Sequence, residues 1–125
     1  MPTLIKKLFF ACYTLFFLCT NANAAAASHE VKAHTLPMET AERFGELYIH
    51  YDGRICPMQT LAIDFTKKLY GARSYKGLTA EQVLTGWIFW GEEWMQEPMI
   101  KIKGDELREA LQLSGYASAS HFYNK

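Results

Sequence analysis

The chain has 125 residues, half of them hydrophobic and 14% aromatic, and its thirteen basic residues balance its thirteen acidic ones. This length allows one compact domain and leaves no room for a second one of ordinary size. The balanced charge gives no electrostatic footprint for nucleic acid, so we expect no nucleic-acid partner.

The first 24 residues have the three parts of a secretory signal peptide. Two lysines form the positive end, residues 8–19 form the apolar stretch, and an Ala-x-Ala sequence that ends at Ala24 supplies the cleavage site. Twelve apolar residues are fewer than the roughly 20 that a spanning helix needs. We therefore predict cleavage after Ala24 and a periplasmic protein, associated with a membrane through a partner; the alternative is an uncleaved signal that acts as an anchor.

The mature chain has one thiol. Of the three cysteines, Cys56 alone lies beyond the predicted signal, so no intramolecular disulfide can form after cleavage. Loss of two lysines with the signal leaves eleven basic and thirteen acidic residues, a small negative charge. Because no disulfide can form, the domain must be stabilised by its apolar core.

Residues 25–43 are rich in Ala, Ser and short polar runs, with one proline and no sustained period. Such a composition is typical of a segment that does not pack. We predict a flexible leader over 25–43, with the ordered domain, residues 44–125, beginning near Phe44.

A β-hairpin is predicted at about 47–56. Two runs rich in β-branched and aromatic residues flank Asp52-Gly53, and this dipeptide between such runs is a strong hairpin signal. Apolar positions then recur every three or four residues from Met58 to Tyr70, which predicts an amphipathic helix that Gly71 ends.

The second half of the domain is also predicted to contain both helices and a strand. Thr79 and Gln82 form a candidate capping box for a helix that reaches about Gln96. A short third strand is predicted at about 99–103, and a further helix from Asp105. The sum is a small single α+β domain with a hairpin, a third strand and three to four helices.

Cys56 is followed by Pro57, a dipeptide also found where thiolates ligate regulatory haem. The structural interpretation is stronger, because a free cysteine is among the most buried residue types and proline ends a strand. A thiol oxidoreductase is disfavoured, since the mature chain has no second cysteine.

Trp87, Trp90 and Trp94 fall on one side of the predicted helix and could offer a flat aromatic platform to a planar ligand such as haem. The structural alternative is that this stripe belongs to the core, as most such stripes do. The three tryptophans and Cys56 are the candidate cofactor-binding residues.

The histidines indicate no metal site. His29 and His34 lie in the predicted leader, His50 in the hairpin and His121 near the end, and no two have metal-ligand spacing. His50 and His121 stay open as axial haem ligands. We expect no enzyme, because no nucleophile and base can be placed together and no nucleophile elbow occurs.

Several spaced segments resemble, in one order, the system II cytochrome c biogenesis proteins of the CcsA/ResB type, in their Bacteroides-like form. The matching segments are Tyr51 to Ala62, Leu69 to Gly71, Ser74 to Thr79, Glu81 to Val83, Gly86-Trp87 and Pro98 to Ile102. The family's proteins are long, with many membrane spans, haem-ligating histidines in those spans and a W-W-D segment. The present chain has none of these after its signal, so it resembles only the soluble extracytoplasmic segment, as a split subunit or a truncated piece of a larger membrane protein.

The resemblance implies an accessory extracytoplasmic domain that helps to deliver haem to apocytochrome c, or to handle the apocytochrome. Its expected partners are a membrane haem-handling cytochrome c synthesis protein and apocytochrome c, with Arg54 as the candidate partner-binding residue. Two alternatives stay open: a small periplasmic haem-binding protein that uses the Cys56 thiolate, and a protein-interaction module of another pathway.

Overall fold

Six helices and two antiparallel strand pairs make up residues 30–123, the part of the chain that the computed structural model describes. In chain order the elements are α1 (Met38–Gly45), β1 (Tyr48–Tyr51), β2 (Arg54–Pro57), α2 (Met58–Tyr70), α3 (Ala80–Phe89), α4 (Gly91–Trp94), β3 (Ile100–Lys101), α5 (Asp105–Leu111), β4 (Tyr116–Ala117) and α6 (Ser120–Tyr123). This confirms the predicted α+β class. The predicted signal peptide lies outside the described residues.

The predicted hairpin and the helix after it are confirmed. Strands β1 and β2 pair antiparallel with Tyr51 opposite Arg54 and Tyr48 opposite Pro57. Asp52 and Gly53 both have positive φ, 52° and 73°, as the tight turn between right-twisted strands requires. Helix α2 follows at once.

Helix α2 runs from Met58 to Tyr70 and ends at Gly71 in the left-handed conformation, with φ of 92°. An L side chain rarely adopts this backbone conformation, which explains why glycine stands there. The capping box of α3 is confirmed as well, because the Thr79 hydroxyl accepts from the Gln82 N–H and the Gln82 amide accepts from the Thr79 N–H.

The predicted helix from Thr79 to Gln96 is wrong in its second half. The backbone leaves the helical conformation at Trp90, with φ −130° and ψ 45°, and resumes as the single turn α4. The break lets Trp94 fold back against Gly86, where a Cβ would lie 2.3 Å from the indole Nε1. Burial of the indole therefore ends the helix.

The predicted third strand is present but shorter. It spans Ile100–Lys101 and pairs with β4, a strand that was not predicted from the sequence. The pair places the end of the chain beside the rest of the domain, where the Ser120 N–H donates to the Met95 carbonyl.

Two apolar clusters form the core. The larger surrounds the end of α3 and the loop after it, and its buried members are Ala33, Tyr75, Val83, Trp94 and Met99. The smaller lies where α2 and α3 pack, and its buried members are Ala62, Ala80 and Leu84. The alanines let the two helices approach closely.

The expectation that ordered structure begins near Phe44 is wrong for residues 30–43. Helix α1 starts at Met38, Ala33 is buried, and the segment before α1 is held by bonds to distant side chains. One of these bonds runs from the Gln82 amide to the Leu36 carbonyl at 2.9 Å. We call residues 30–37 the strap. The strap is held by contacts with residues that are distant in sequence, so it shows no local period of apolar residues. Within residues 30–123, no helix has the length and apolar character to cross a membrane.

Candidate functional site

Cys56 and Arg54 lie on β2 with opposite exposures. Cys56 keeps 7% of its surface exposed, whereas Arg54 is exposed beside the turn. Pro57 ends β2 and precedes α2, so the Cys-Pro pair forms the junction between a strand and a helix. An iron ligand must reach its metal, and the covered thiol of Cys56 does not fit that role in this arrangement.

Arg54 borders a cleft of about 250 Å³ on the α2 side of the hairpin. There the Tyr51 hydroxyl donates to Asp64 Oδ2 at 2.5 Å, and Lys68 Nζ lies 2.8 Å from the same oxygen. The bonds from Lys68 and Tyr51 hold the pKa of Asp64 below its usual range. Asp64 is thus an engaged carboxylate rather than a base, and what the cleft offers a partner is the exposed Arg54.

The three tryptophans do not share one surface. Trp94 has no exposed surface and donates its indole N–H to the His34 carbonyl at 2.9 Å. Trp87 is half-buried, with its Nε1 3.1 Å from the Met99 sulfur. Trp90 packs one side on the core and keeps the other at the surface. The predicted platform of three tryptophans is therefore not formed, because Trp94 is fully buried and only Trp87 and Trp90 keep partly exposed surface.

The loop after α4 carries a buried carboxylate, Glu97. Glu97 accepts from the Lys32 N–H and from the Tyr75 hydroxyl, both at 2.9 Å, and Lys76 Nζ lies 3.5 Å away. Burial alone would raise the pKa of Glu97, but these bonds and the lysine charge outweigh it and keep the pKa below 4.5. Burial and the bond to Glu97 raise the pKa of Tyr75. This group holds the strap, residues 30–37, to the core.

One turn earlier, Glu93 makes a second and more exposed contact with the strap. Its carboxylate oxygens lie 2.7 and 2.9 Å from the imidazole Nδ1 of His34, and it also accepts from the His34 N–H at 2.9 Å. The His34 side chain is 72% exposed. The backbone and side-chain bonds from His34 lower the pKa of Glu93.

His34 is held at three points. Glu93 accepts hydrogen bonds from its backbone N–H and from its Nδ1, and Trp94 donates one to its carbonyl. Its Nε2 has no hydrogen bond to any residue within 30–123. Because Nδ1 faces a carboxylate, which only accepts, Nδ1 donates to Glu93.

A row of aromatic rings continues from His34 across the surface. Its members are His34, Trp90, Phe89 and Phe44, with neighbouring centroids 6.0, 5.9 and 5.5 Å apart. Phe89 is 49% exposed, and the row ends at an apolar groove of about 310 Å³ beside Phe44 and Leu47. We call these four rings the aromatic row. It is an apolar surface with one ionisable imidazole at its end.

The donor set decides what this surface can hold. No group of three or more His, Cys, Asp or Glu side chains suited to a metal ion occurs among residues 30–123. A bare ion therefore has too few protein ligands here. Within the described residues this surface therefore offers an exposed imidazole beside apolar rings, without a set of metal ligands.

The position of His34 beside Glu93 is not predictable from the sequence, because His34 stands in the segment predicted to be a flexible leader. Its partner Glu93 is 59 residues away, and no local spacing links them. The nearest signal in the sequence is that Trp90 and Glu93 stand on one short segment. His50 and His121, the histidines left open as ligands, are exposed, and neither has a carboxylate partner within residues 30–123.

Comparison with known proteins gives one informative similarity. No known protein-family model matches the chain. The chain is 34% identical over 74 residues to Protein NrfI of Wolinella succinogenes. The match covers 58% of this chain and 8% of that protein. The chain is thus similar to a small part of a much longer protein.

Proposed function

We propose that the chain is a non-enzymatic accessory domain in cytochrome c maturation that works outside the cytoplasm with a membrane partner. The observation that carries the proposal is the 34% identity to Protein NrfI over 74 residues, a distant similarity that suggests cytochrome c maturation. The order of matching segments from Tyr51 to Ile102, which resembles cytochrome c biogenesis proteins, agrees with it. The finer assignment to the CcsA/ResB type is part of the proposal.

The partners are proposed from the resemblance to the system II cytochrome c biogenesis proteins. The match to Protein NrfI covers 8% of that protein. The partners we propose are a membrane protein that handles haem and apocytochrome c.

The contacts of the acidic side chains favour binding over turnover. Asp64, Glu93 and Glu97 each accept hydrogen bonds from neighbours, and all three have lowered pKa values. A general base works best with a pKa near the working pH, which these carboxylates do not have. We therefore propose no catalytic step for this domain.

A deletion experiment tests the pathway. Removal of the gene should lower the amount of haem-stained cytochrome c in the membrane and periplasm while apocytochrome c is still made. Restoration by the full chain, but not by a chain without residues 1–24, would support an extracytoplasmic site of action. Unchanged cytochrome c in the deletion strain would refute the proposed function.

A binding experiment tests the partner surface. The full chain, tagged at its C-terminus, should copurify with a membrane cytochrome c synthesis protein, and R54E should weaken that association. R73E is the matched control, since Arg73 is an exposed arginine in the loop between α2 and α3. Equal loss in both variants would show a general charge effect, and equal retention would remove Arg54 from the interface.

A further inference from the structure

We propose that the outer edge of β1 and the acidic cleft beside it bind an extended segment of a separate polypeptide that carries lysine or arginine. The segment would add a third strand to the hairpin. The inference goes beyond the proposed function, because the surface is defined by its backbone groups and its charge whatever pathway supplies the partner. Arg54, the candidate partner-binding residue, borders a different cleft.

The backbone groups along one edge of the hairpin are open. The Met58 N–H donates to the Leu47 carbonyl at 2.7 Å, which extends the antiparallel ladder by one bonded pair. Bonded positions alternate along a strand, so the N–H and carbonyl groups of Tyr48 and His50 point away from β2. The sheet has two strands, and these groups have no backbone partner within residues 30–123. An extended peptide can therefore pair with this edge.

The sequence leaves β1 less protected than β2. Soluble proteins usually protect edge strands against pairing with lysine, other charged residues or proline. Strand β2 carries Arg54 and Pro57, whereas β1, Tyr48–Tyr51, contains no lysine, arginine, acidic residue or proline. Tyr48 at the start of β1 is also 76% exposed. The unprotected edge is thus that of β1.

A cleft of about 630 Å³ lies at the start of this edge. Its lining comes from the end of α1, the start of β1 and the junction of β2 with α2, and consists of Glu42, Gly45, Glu46, Tyr48, Pro57 and Gln59. Glu42 and Glu46 are exposed to solvent, and no lysine or arginine belongs to this lining. The cleft is therefore negatively charged.

A third carboxylate lies directly beneath the cleft. Glu81 on α3 is 7% exposed, and a Cβ at Gly45 would lie 2.9 Å from its Cγ. Gln59 Nε2 donates to its Oε1 at 2.6 Å, so two lining residues cover it. Within residues 30–123, none of Glu42, Glu46 and Glu81 forms an ion pair. Burial of a carboxylate without an opposite charge costs free energy, so a cation in the cleft would be favoured.

The charge of the cleft and the open edge together indicate the occupant. When an extended peptide joins a sheet edge, its backbone bonds supply affinity and pockets for its alternate side chains supply specificity. Here the pocket is acidic and suits a lysine or arginine side chain, whose cation can also lie over the ring of Tyr48. An anionic lipid surface would be repelled by the same carboxylates.

Fluorescence anisotropy of a short labelled peptide, added to the purified full chain, tests the acidic cleft. The peptide alternates threonine and valine, has lysine at its centre and is blocked at both ends, and the comparison peptide has glutamate in place of lysine. We expect the glutamate peptide to bind at least about tenfold more weakly. Added salt should weaken binding of the lysine peptide.

A double variant identifies the carboxylates. E42Q/E46Q should weaken binding of the lysine peptide by about three- to tenfold, since it removes two exposed charges from the cleft. E92Q/E106Q is the matched control, because Glu92 and Glu106 are exposed carboxylates on α4 and α5. This control should bind the peptide as the native chain does.

Strand pairing can be tested without changing the protein. Two versions of the lysine peptide, N-methylated on alternate residues in opposite phase, should differ, because only one phase blocks the N–H groups that face β1. H50P should also abolish binding, since it removes an outward N–H and leaves the β1–β2 bonds in place. I55P is its matched control, because Ile55 lies opposite His50 and its N–H points outward from β2. Urea unfolding curves check that both variants fold.

Three outcomes would overturn the proposal. Equal affinity for the lysine and glutamate peptides, or unchanged affinity in E42Q/E46Q, would remove the acidic cleft from the site. Binding that survives in both methylated peptides would show contact without strand pairing. A dimer of the native chain that H50P separates into monomers would make a second copy, rather than a basic segment of another protein, the occupant of the edge.

Discussion

Glu93 and Glu97 stand one turn apart, contact the same strap and differ mainly in burial. The side chain of Glu97 is 7% exposed and joins the strap to Tyr75 in the core, whereas that of Glu93 is 42% exposed and holds the imidazole of His34 at the surface. A buried carboxylate that lost its donors would leave an uncompensated charge, while an exposed one would be solvated. We infer that Glu97 serves the fold and that Glu93 is free to serve a site.

The largest loss of stability is expected from a substitution of the buried Trp94. W94A should lower the free energy of unfolding by about 3–5 kcal/mol, because it removes a large core side chain and leaves a cavity. It also removes the donor to the His34 carbonyl. Urea unfolding followed by circular dichroism measures the change. W90A is the control, and an equal loss there would contradict the division between core and surface.

The close approach of Trp94 to α3 gives the second prediction. G86A should lower the free energy of unfolding by about 1–3 kcal/mol, because the added methyl group meets the indole and the core has no room to relax. Alanine would otherwise favour the helix over glycine. In G91A no atom lies within 4 Å of the new Cβ, so stability should hold or rise slightly. A stable G86A with unchanged tryptophan fluorescence would show that Trp94 can move aside.

The charge of Glu97 gives the third prediction. E97Q should lower the free energy of unfolding at neutral pH by about 1–3 kcal/mol, since it removes a charged acceptor of buried hydrogen bonds. The folded state lowers the pKa of Glu97 below its ordinary 4.5, so its contribution is complete above about that pH. It is lost as the pH falls through the folded pKa. The stability of the E97Q variant should therefore depend less on pH below 4.5 than that of the native chain.

The smallest effect is expected at Glu93. E93Q should change stability less than E97Q at every pH above 4.5, because the His34 contact is exposed and screened by water. Unfolding curves of the two variants, measured side by side in one buffer, give the difference. A larger loss of stability in E93Q than in E97Q would mean that the exposed contact between Glu93 and His34, rather than the buried carboxylate of Glu97, holds the strap.

Local patterns were sufficient for elements whose contacts lie close in sequence. The turn at Asp52-Gly53, helix α2 with its Gly71 end and the capping box of Thr79 are each determined by backbone conformation and bonds over a few residues. The helix predicted to reach Gln96 failed because its end depends on Trp94 packing against Gly86. Packing of this kind overrides a helical period.

The sequence by itself determined the α+β class, the hairpin, two helix boundaries and the resemblance to a cytochrome c biogenesis segment. Tertiary structure alone decided that residues 30–37 pack as a strap, that the helix breaks at Trp90 and that His34 meets Glu93. The physical reason is separation along the chain. Bonds such as that from Lys32 to Glu97, 65 residues apart, leave no period or local motif, and they form only when the core brings both ends together.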